Sequence, residues 1–313
     1  MVKQKKHKNS APRIFNSALK TLIVIAGPTA SGKTDLAIEV ARHYQTDILS
    51  ADSRQCYREM SIGVAKPTEE QLHSVTHYFI NSHSIHEQVS AGMYERYALE
   101  KLNHIFSKND VAVCVGGTGM YIKAICEGID EMPEVDPNIY LATESEFNEK
   151  GIDWLKEEVS KTDEAFFNQS ETENPARLLR ALTFSRSTGK SILDFRTKET
   201  KKRDFAIVKY AIDIERELLY QRINTRVDMM MDAGLLDEVK GLVPFRNLKS
   251  LNTVGYAELF NYFDGVWSLE QSIDKIKQHS RNYAKRQITW FKHQGNYHWL
   301  KAEDIAKDAF NIL

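Results

Sequence analysis

The chain has 313 residues, 42% of them hydrophobic and 27% charged, with a formal net charge of −1. Such a composition belongs to globular proteins and leaves room for about two domains. No apolar run approaches the roughly 18 residues that a membrane-spanning helix needs. The near-zero net charge excludes global attraction to nucleic acid, so any such binding has to come from local clusters.

Residues 1–20 open with a basic stretch, MVKQKKHKNSAPR. No apolar segment follows that could serve as a signal peptide, and the stretch reads as a solvated, disordered tail. TLIVIA at 21–26 is a short β-branched apolar run, the pattern of a buried strand. GPTASGKT at 27–34 breaks it, and helical spacing continues to His43. DILSA at 47–51 reads as a second strand. Ser90 is placed to cap a helix over 91–106, with apolar Met93, Tyr97, Leu102 and Phe106. VAVCV at 111–115 is a further buried strand, ended by Gly116 and Gly117. Strands alternating with helices predict an α/β fold with a parallel sheet covered on both faces.

The character changes near residue 131. Residues 131–200 are charged, lack strand-like runs and read as several short helices, and a strand pattern returns at 205–214. The expected organisation is therefore a discontinuous core, 21–130 and 201–313, interrupted by a helical insertion at 131–200. Long helices are expected at 215–233 and 268–294. Met229, Met230 and Met231 read as packing residues. Cys56, Cys114 and Cys126 show neither CxxC nor zinc spacing, which suits a reducing cytoplasm. His83 and His86 have no partners at ligand spacing and read as surface residues.

GPTASGKT fits GxxxxGK[ST] and lies between a predicted strand and a predicted helix, the context that gives the pattern its meaning. Gly27, Pro28, Thr29, Ala30, Ser31 and Gly32 form a loop whose N–H groups can turn toward one anion. The following helix terminus adds positive potential, Lys33 adds a full charge, and the Thr34 hydroxyl can sit on magnesium. The loop marks a diphosphate or triphosphate without saying which group is transferred. A nucleoside triphosphatase usually carries a magnesium-holding acid at the end of a later apolar strand. Here that strand ends in Gly116-Gly117-Thr118-Gly119, which weakens the ATPase reading. The nearest strand-end acid is Asp52, in SADSRQCY. In an open parallel sheet, ligands bind beyond the carboxyl ends of the strands. On position alone, Asp52 serves equally as a general base or as the cap of a turn.

Taken together the motifs resemble those of the tRNA dimethylallyltransferase family, also called tRNA isopentenyltransferase. They are GPTASGKT (27–34), SADSRQCY (50–57), IGVAKP (62–67), VGGTGMY (115–121), NPARLLRAL (174–182), ELLYQRINTRV (217–227), TVGYAEL (253–259) and YAKRQITWFK (283–292). They occur in family order and span nearly the whole chain. The resemblance implies a P-loop NTPase-like core. It also implies transfer of a five-carbon group from dimethylallyl diphosphate to N6 of the adenosine 3′ of the anticodon, with pyrophosphate leaving and magnesium assisting. By position, Asp52 matches the base and Arg226 the arginine that neutralises the leaving diphosphate. Lys33, Thr34 and the loop hold that diphosphate, and Thr118 lies where the channel approaches substrate. Ser53, Arg54 and Gln55 match the stretch that contacts the flipped base. Ala176, Arg177, Leu178, Leu179 and Arg180 match a tRNA-contacting stretch, as do Asn252, Thr253, Val254, Gly255, Tyr256 and Ala257. The implied partners are a tRNA anticodon stem-loop and dimethylallyl diphosphate, met by a cytoplasmic monomer with no membrane attachment.

Two positions depart from the family pattern. Val64 replaces a threonine in IGTAKP, and Tyr140 stands where an arginine commonly follows the Asp136-Pro137 pair; a tyrosine can stack on a base but cannot neutralise phosphate. The segment 274–293 is basic, with Lys277, Arg281 and Lys285 at i, i+4 and i+8 forming one helical stripe. Interleaved with Tyr283, such a stripe suits contact with RNA phosphates, whereas Trp290 and Phe291 read as core. Three rival functions remain at this point: an adenylate isopentenyltransferase acting on free AMP, a small-molecule kinase using ATP, and a catalytically silent RNA-binding protein.

Overall fold

The computed structural model describes residues 20–169, 172–197 and 199–312, so the expected tail at 1–20 lies, except for Lys20, outside the described residues. The chain divides into two compact units, residues 1–127 with 202–313, and 128–201.

In the first unit, the apolar run at Thr21–Ala26 (β1) is buried along its whole length. Alternate side chains serve opposite faces, as the period of a strand requires. Leu22, Val24 and Ala26 join a cluster with Ala98, Leu102 and Leu259. Ile23 and Ile25 join Leu36, Val40 and Ile305 on the other face. The chain continues through Lys33–His43 (α1), Ile48–Ser50 (β2), Glu69–Ser74 (α2), His77–Tyr78 (β3), Ala91–Phe106 (α3), Val111–Gly116 (β4) and Gly119–Glu127 (α4). Ser90 caps α3 by accepting the N–H of Met93 at 3.2 Å, as its position predicts.

The second unit holds Pro137–Thr162 (α5), Glu164–Gln169 (α6) and Pro175–Thr188 (α7). It has its own core around Leu155, Val159, Phe166, Leu178, Leu182 and Phe184. The expectation of short helices is corrected here, because α5 spans 26 residues with a break at Gly151. Asp136 caps it, accepting the N–H of Asn138, with Pro137 in the first turn, where a missing N–H costs nothing.

After this unit the core resumes with Ala206–Ile212 (β5), Arg216–Asp232 (α8), Leu235–Leu242 (α9), Tyr256–Phe263 (α10), Leu269–His293 (α11), His298–Leu300 (β6) and Ala302–Ala309 (α12). The strands form one sheet in the order β3-β2-β4-β1-β5-β6, and every paired neighbour is parallel. β1 is therefore central, with Ala26 opposite Gly116 on one side and Ala211 on the other. The carboxyl ends of β1, β2 and β4 lie side by side, which is where such a sheet presents its ligands. This is the α/β, P-loop NTPase-like architecture with a mostly helical second unit. No helix among the described residues is long and apolar enough to cross a membrane.

Candidate active site

The loop after β1 is shaped for an anion. Gly32 forms the N-cap of α1 in the left-handed region (φ 89°), with no side-chain cap. A side chain there would be strained, and a bound anion can take the place of a cap. The Ser31 hydroxyl is buried without a protein partner among the described residues, a donor left over for a ligand oxygen. Desolvation pulls Lys33 down to about 8, with Arg226 acting in the same direction and Asp52 opposing. Arg226, on α8, is lowered by burial, and its Nη1 lies 3.5 Å from Thr29 Oγ1. A diphosphate would relieve both desolvated cations at once.

Asp52 follows β2. Its Oδ1 accepts the backbone N–H groups of Arg54 (2.9 Å) and Gln55 (3.3 Å). The carboxylate thus does cap a turn, through one oxygen. Thr118, after β4, accepts the N–H of Ser53 on Oγ1 at 3.0 Å. The guanidinium of Arg54 donates to the carbonyls of Ser250 (3.0 Å) and Asn252 (3.4 Å). The Gln55 amide donates to the carbonyls of Val64 (3.3 Å) and Ala65 (2.9 Å). Val64 packs its methyls against the core, so the loss of a hydroxyl at this position meets an apolar neighbourhood.

One cavity of about 1670 Å³ brings most of the predicted residues together. Its wall includes Lys33 and Thr34 from the loop, Asp52 and Arg54 after β2, Arg226 from α8, and Asn252 ahead of α10. Drug-sized ligands occupy pockets of roughly 300–1,000 Å³, so the space exceeds that of a small-molecule site.

Several expected contacts are corrected by burial. Leu178 (0% exposed) and Leu179 (8%) face the core of the second unit, whereas Ala176, Arg177 and Arg180 on the same helix are exposed. Tyr256 is wholly buried and donates to Glu238 at 2.6 Å, so its side chain is a packing residue. The Tyr140 hydroxyl donates to Glu144 at 2.6 Å and its partly buried ring packs against the second unit's core. Met229, expected to pack, is 65% exposed on the cavity wall. Within the basic stripe, Lys277 pairs with Asp228 (2.6 Å) and Arg281 donates to Asn224 (2.6 Å), both on α8. Those two cations bind α11 to α8, and Lys285 is exposed.

Glu238 and Gln287 are not among the residues expected from the sequence, and Tyr283 is expected there only as part of the basic stripe. Glu238 on α9 accepts the N–H groups of Ser61 (3.0 Å), Ile62 (2.8 Å) and Gly63 (3.1 Å), fastening the loop before Lys66. Tyr283 borders Thr118, and burial beside Asp52 pushes it up to about 12. Gln287 lies on the cavity wall between the phosphate loop and β4. Its signal in the sequence is a polar residue spaced three and four from the apolar Ala284 and Phe291.

The residues also bear on magnesium. Among the described residues there is no group of three or more His, Cys, Asp or Glu that could cage an ion. The Thr34 hydroxyl beside a bound diphosphate suits magnesium, which keeps several waters and takes few protein ligands.

The IPP transferase family model matches residues 55–294. A tRNA dimethylallyltransferase of Christiangramia forsetii is 44% identical over 292 residues, covering 93% of this chain and 97% of the relative. A tRNA dimethylallyltransferase 1 of Phocaeicola vulgatus is 45% identical over 280 residues, covering 90% and 93%. Among solved structures, the tRNA isopentenylpyrophosphate transferase of Bacillus halodurans superposes with a TM-score of 0.68 at 32% identity, covering 93% of this chain and 95% of that one. With the family model matched across residues 55–294 and a relative 44% identical over 93% of the chain, the chain belongs to the IPP transferase family.

Proposed function

We propose that this protein transfers the dimethylallyl group of dimethylallyl diphosphate to N6 of the adenosine 3′ of the anticodon in tRNA. The observation that carries the reading is that an anion-binding loop and a carboxylate open into one cavity, held by Lys33 and Arg226 on one side and by Asp52 on the other. The size of that space favours a base presented by a polymer over free AMP.

The allylic C1–O bond breaks as negative charge builds on pyrophosphate. Lys33, Arg226 and the loop N–H groups stabilise that charge, the role in which preorganised donors do most. The N6–C1 bond forms, and the N6 proton passes to Asp52 through the carboxylate, so the product amine stays neutral. Thr34 would hold magnesium, which when bound offsets charge on the departing diphosphate. An anticodon loop can release the target base from its stack at modest cost. Ser53, Arg54 and Gln55 line the base side, with Asn252, Thr253, Val254, Gly255 and Ala257 along the RNA path. The exposed Arg177 and Arg180 on α7 give the second unit a basic surface for the same RNA. The buried free thiols Cys56, Cys114 and Cys126 agree with work in the reducing cytoplasm, where tRNA is met.

The test is mass spectrometry of tRNA incubated with the protein, magnesium and dimethylallyl diphosphate. The expected result is one five-carbon unit gained on adenosine. An AMP acceptor used as readily as an anticodon stem-loop would overturn the choice of acceptor.

A further inference from the structure

We propose that Gln287 is a positioning residue that fixes the spacing between the phosphate loop and the turn carrying Asp52. The inference rests on the prenyl-transfer reading above. Gln287 lies on α11 in a register that otherwise faces the core, between Ala284 (0% exposed) and Phe291 (1%), and is itself 6% exposed. A polar side chain buried there needs partners, and a carboxamide offers donors at one end and an acceptor at the other. Oε1 accepts the backbone N–H of Thr29, inside the phosphate loop, at 2.9 Å. Nε2 donates to the carbonyl of Gly117, after β4, at 3.0 Å. The approach is close enough that a Cβ on Gly117 would collide with Nε2.

From Gly117 the connection continues to the acceptor side. The next residue, Thr118, donates its N–H to the carbonyl of Ala51 (3.1 Å) and accepts the N–H of Ser53 on Oγ1 (3.0 Å). Both neighbours of Asp52 are therefore tied to Thr118. On the other side, Arg226 reaches Thr29 through its hydroxyl. A single planar amide thus joins the loop that holds the leaving group to the turn that holds the base.

This spacing matters to the reaction because C1 has to meet N6 while the C1–O bond breaks, and a misplacement of about 1 Å costs roughly 10²-fold in rate. If the two loops drift, water can capture C1 in place of N6. Its oxygen bonds to C1, its proton leaves to solvent, and the products are dimethylallyl alcohol and pyrophosphate. A residue that only builds the core would alter stability without altering this partition.

The experiment uses the full chain with magnesium, dimethylallyl diphosphate and tRNA, and compares the parent with Gln287→Met and Gln287→Glu. Methionine keeps the shape and loses both bonds; glutamate keeps the acceptor facing Thr29 and loses the donor facing Gly117. Prenylated tRNA, alcohol and pyrophosphate are measured, together with tRNA affinity and thermal unfolding. The expected result is a kcat roughly 10²-fold lower, a larger share of consumed donor recovered as alcohol, and tRNA affinity equal to the parent's. Parental partition and kcat in a folded variant would overturn the proposal. So would activity lost only in proportion to unfolded protein, or failure of both variants to fold. A parent that prenylates no tRNA refutes the functional reading instead, and that arm is scored first.

Discussion

Asp52 Oδ1 accepts the backbone N–H of Arg54 at 2.9 Å, so one carboxylate oxygen is committed to the turn that displays the residue. Alanine at this position would remove a turn cap and a base together. Asparagine keeps an acceptor for Arg54 and Gln55 but has almost no basicity. Asp52→Asn is therefore expected to unfold like the parent and to lose about 10²–10⁴ in single-turnover transfer. Transfer within a factor of two of the parent would show that Asp52 serves the turn alone.

Arg226 is desolvated beside the phosphate loop, where its charge has little water to compete with. Arg226→Ala is expected to lower turnover by roughly 10²–10³ and to weaken dimethylallyl diphosphate binding, with tRNA affinity unchanged. The check is a pair of binding titrations beside the kinetics. Unaltered donor affinity and turnover would reduce Arg226 to a helix-surface residue.

Burial holds Lys33 at about 8 before any ligand arrives. Below that pH the lysine is charged and binds diphosphate; above it the charge is lost. Donor affinity is expected to fall as pH rises through 8, with a slope of at most one proton, since the diphosphate is already fully ionised there. Folding linkage has the opposite sense: the unfolded chain holds the lysine proton to higher pH, so the ligand-free fold gains stability as pH climbs above about 8. Lys66 is also pulled down to about 8, mainly by burial with Glu238 opposing, and serves as the control. Lys33→Gln should flatten the affinity profile, and Lys66→Gln should leave its inflection in place.

Glu238 receives three consecutive N–H groups and the Tyr256 hydroxyl. Glu238→Ala takes the acceptor from three partly exposed backbone N–H groups and from the hydroxyl of buried Tyr256, and should cost about 1–3 kcal/mol in all, the penalty of a buried donor left unmet. Tyr256→Phe removes a single bond and should cost roughly 0.5–1.5 kcal/mol. Urea unfolding of both variants orders them, and a smaller loss for Glu238→Ala than for Tyr256→Phe would contradict the anchoring role.

The stripe on α11 divides into two kinds of cation. Lys285→Gln is expected to lower the logarithmic salt slope of tRNA binding by about 0.7–0.9, the contribution of one phosphate contact. Lys277→Gln should leave the slope unchanged, because its ammonium is already paired with Asp228 at 2.6 Å. Equal slopes for both variants and the parent would move the RNA grip from this helix to Arg177 and Arg180.

What the sequence makes legible here is local chemistry. A phosphate loop is recognisable because its strand, glycines, lysine and following helix are consecutive. The helix at 91–106 is recognisable because Ser90 precedes an apolar period. The edge strands β3 and β6 have two and three residues, too few for any period to register. Gln287 escaped notice because its partners are 258 and 170 positions away, and Glu238 because it fastens a loop 175 positions earlier. The basic stripe was visible as charge, but Asp228 and Asn224, which occupy two of its members, belong to another helix.

The placement of β1 between β4 and β5 bears on how the chain is made. Its two neighbours come from opposite sides of the 128–201 unit, so β1 gains one partner when β4 is synthesised and the other only after residue 212. At ribosomal rates that interval is roughly 5–20 s. Throughout it, the most apolar strand of the nascent sheet has an open hydrogen-bonding edge, the kind of surface that recruits foreign strands. A ribosome-associated holdase, or a pause that lets the second unit form first, would act during that interval, and truncations ending near residue 200 should aggregate where the full chain does not.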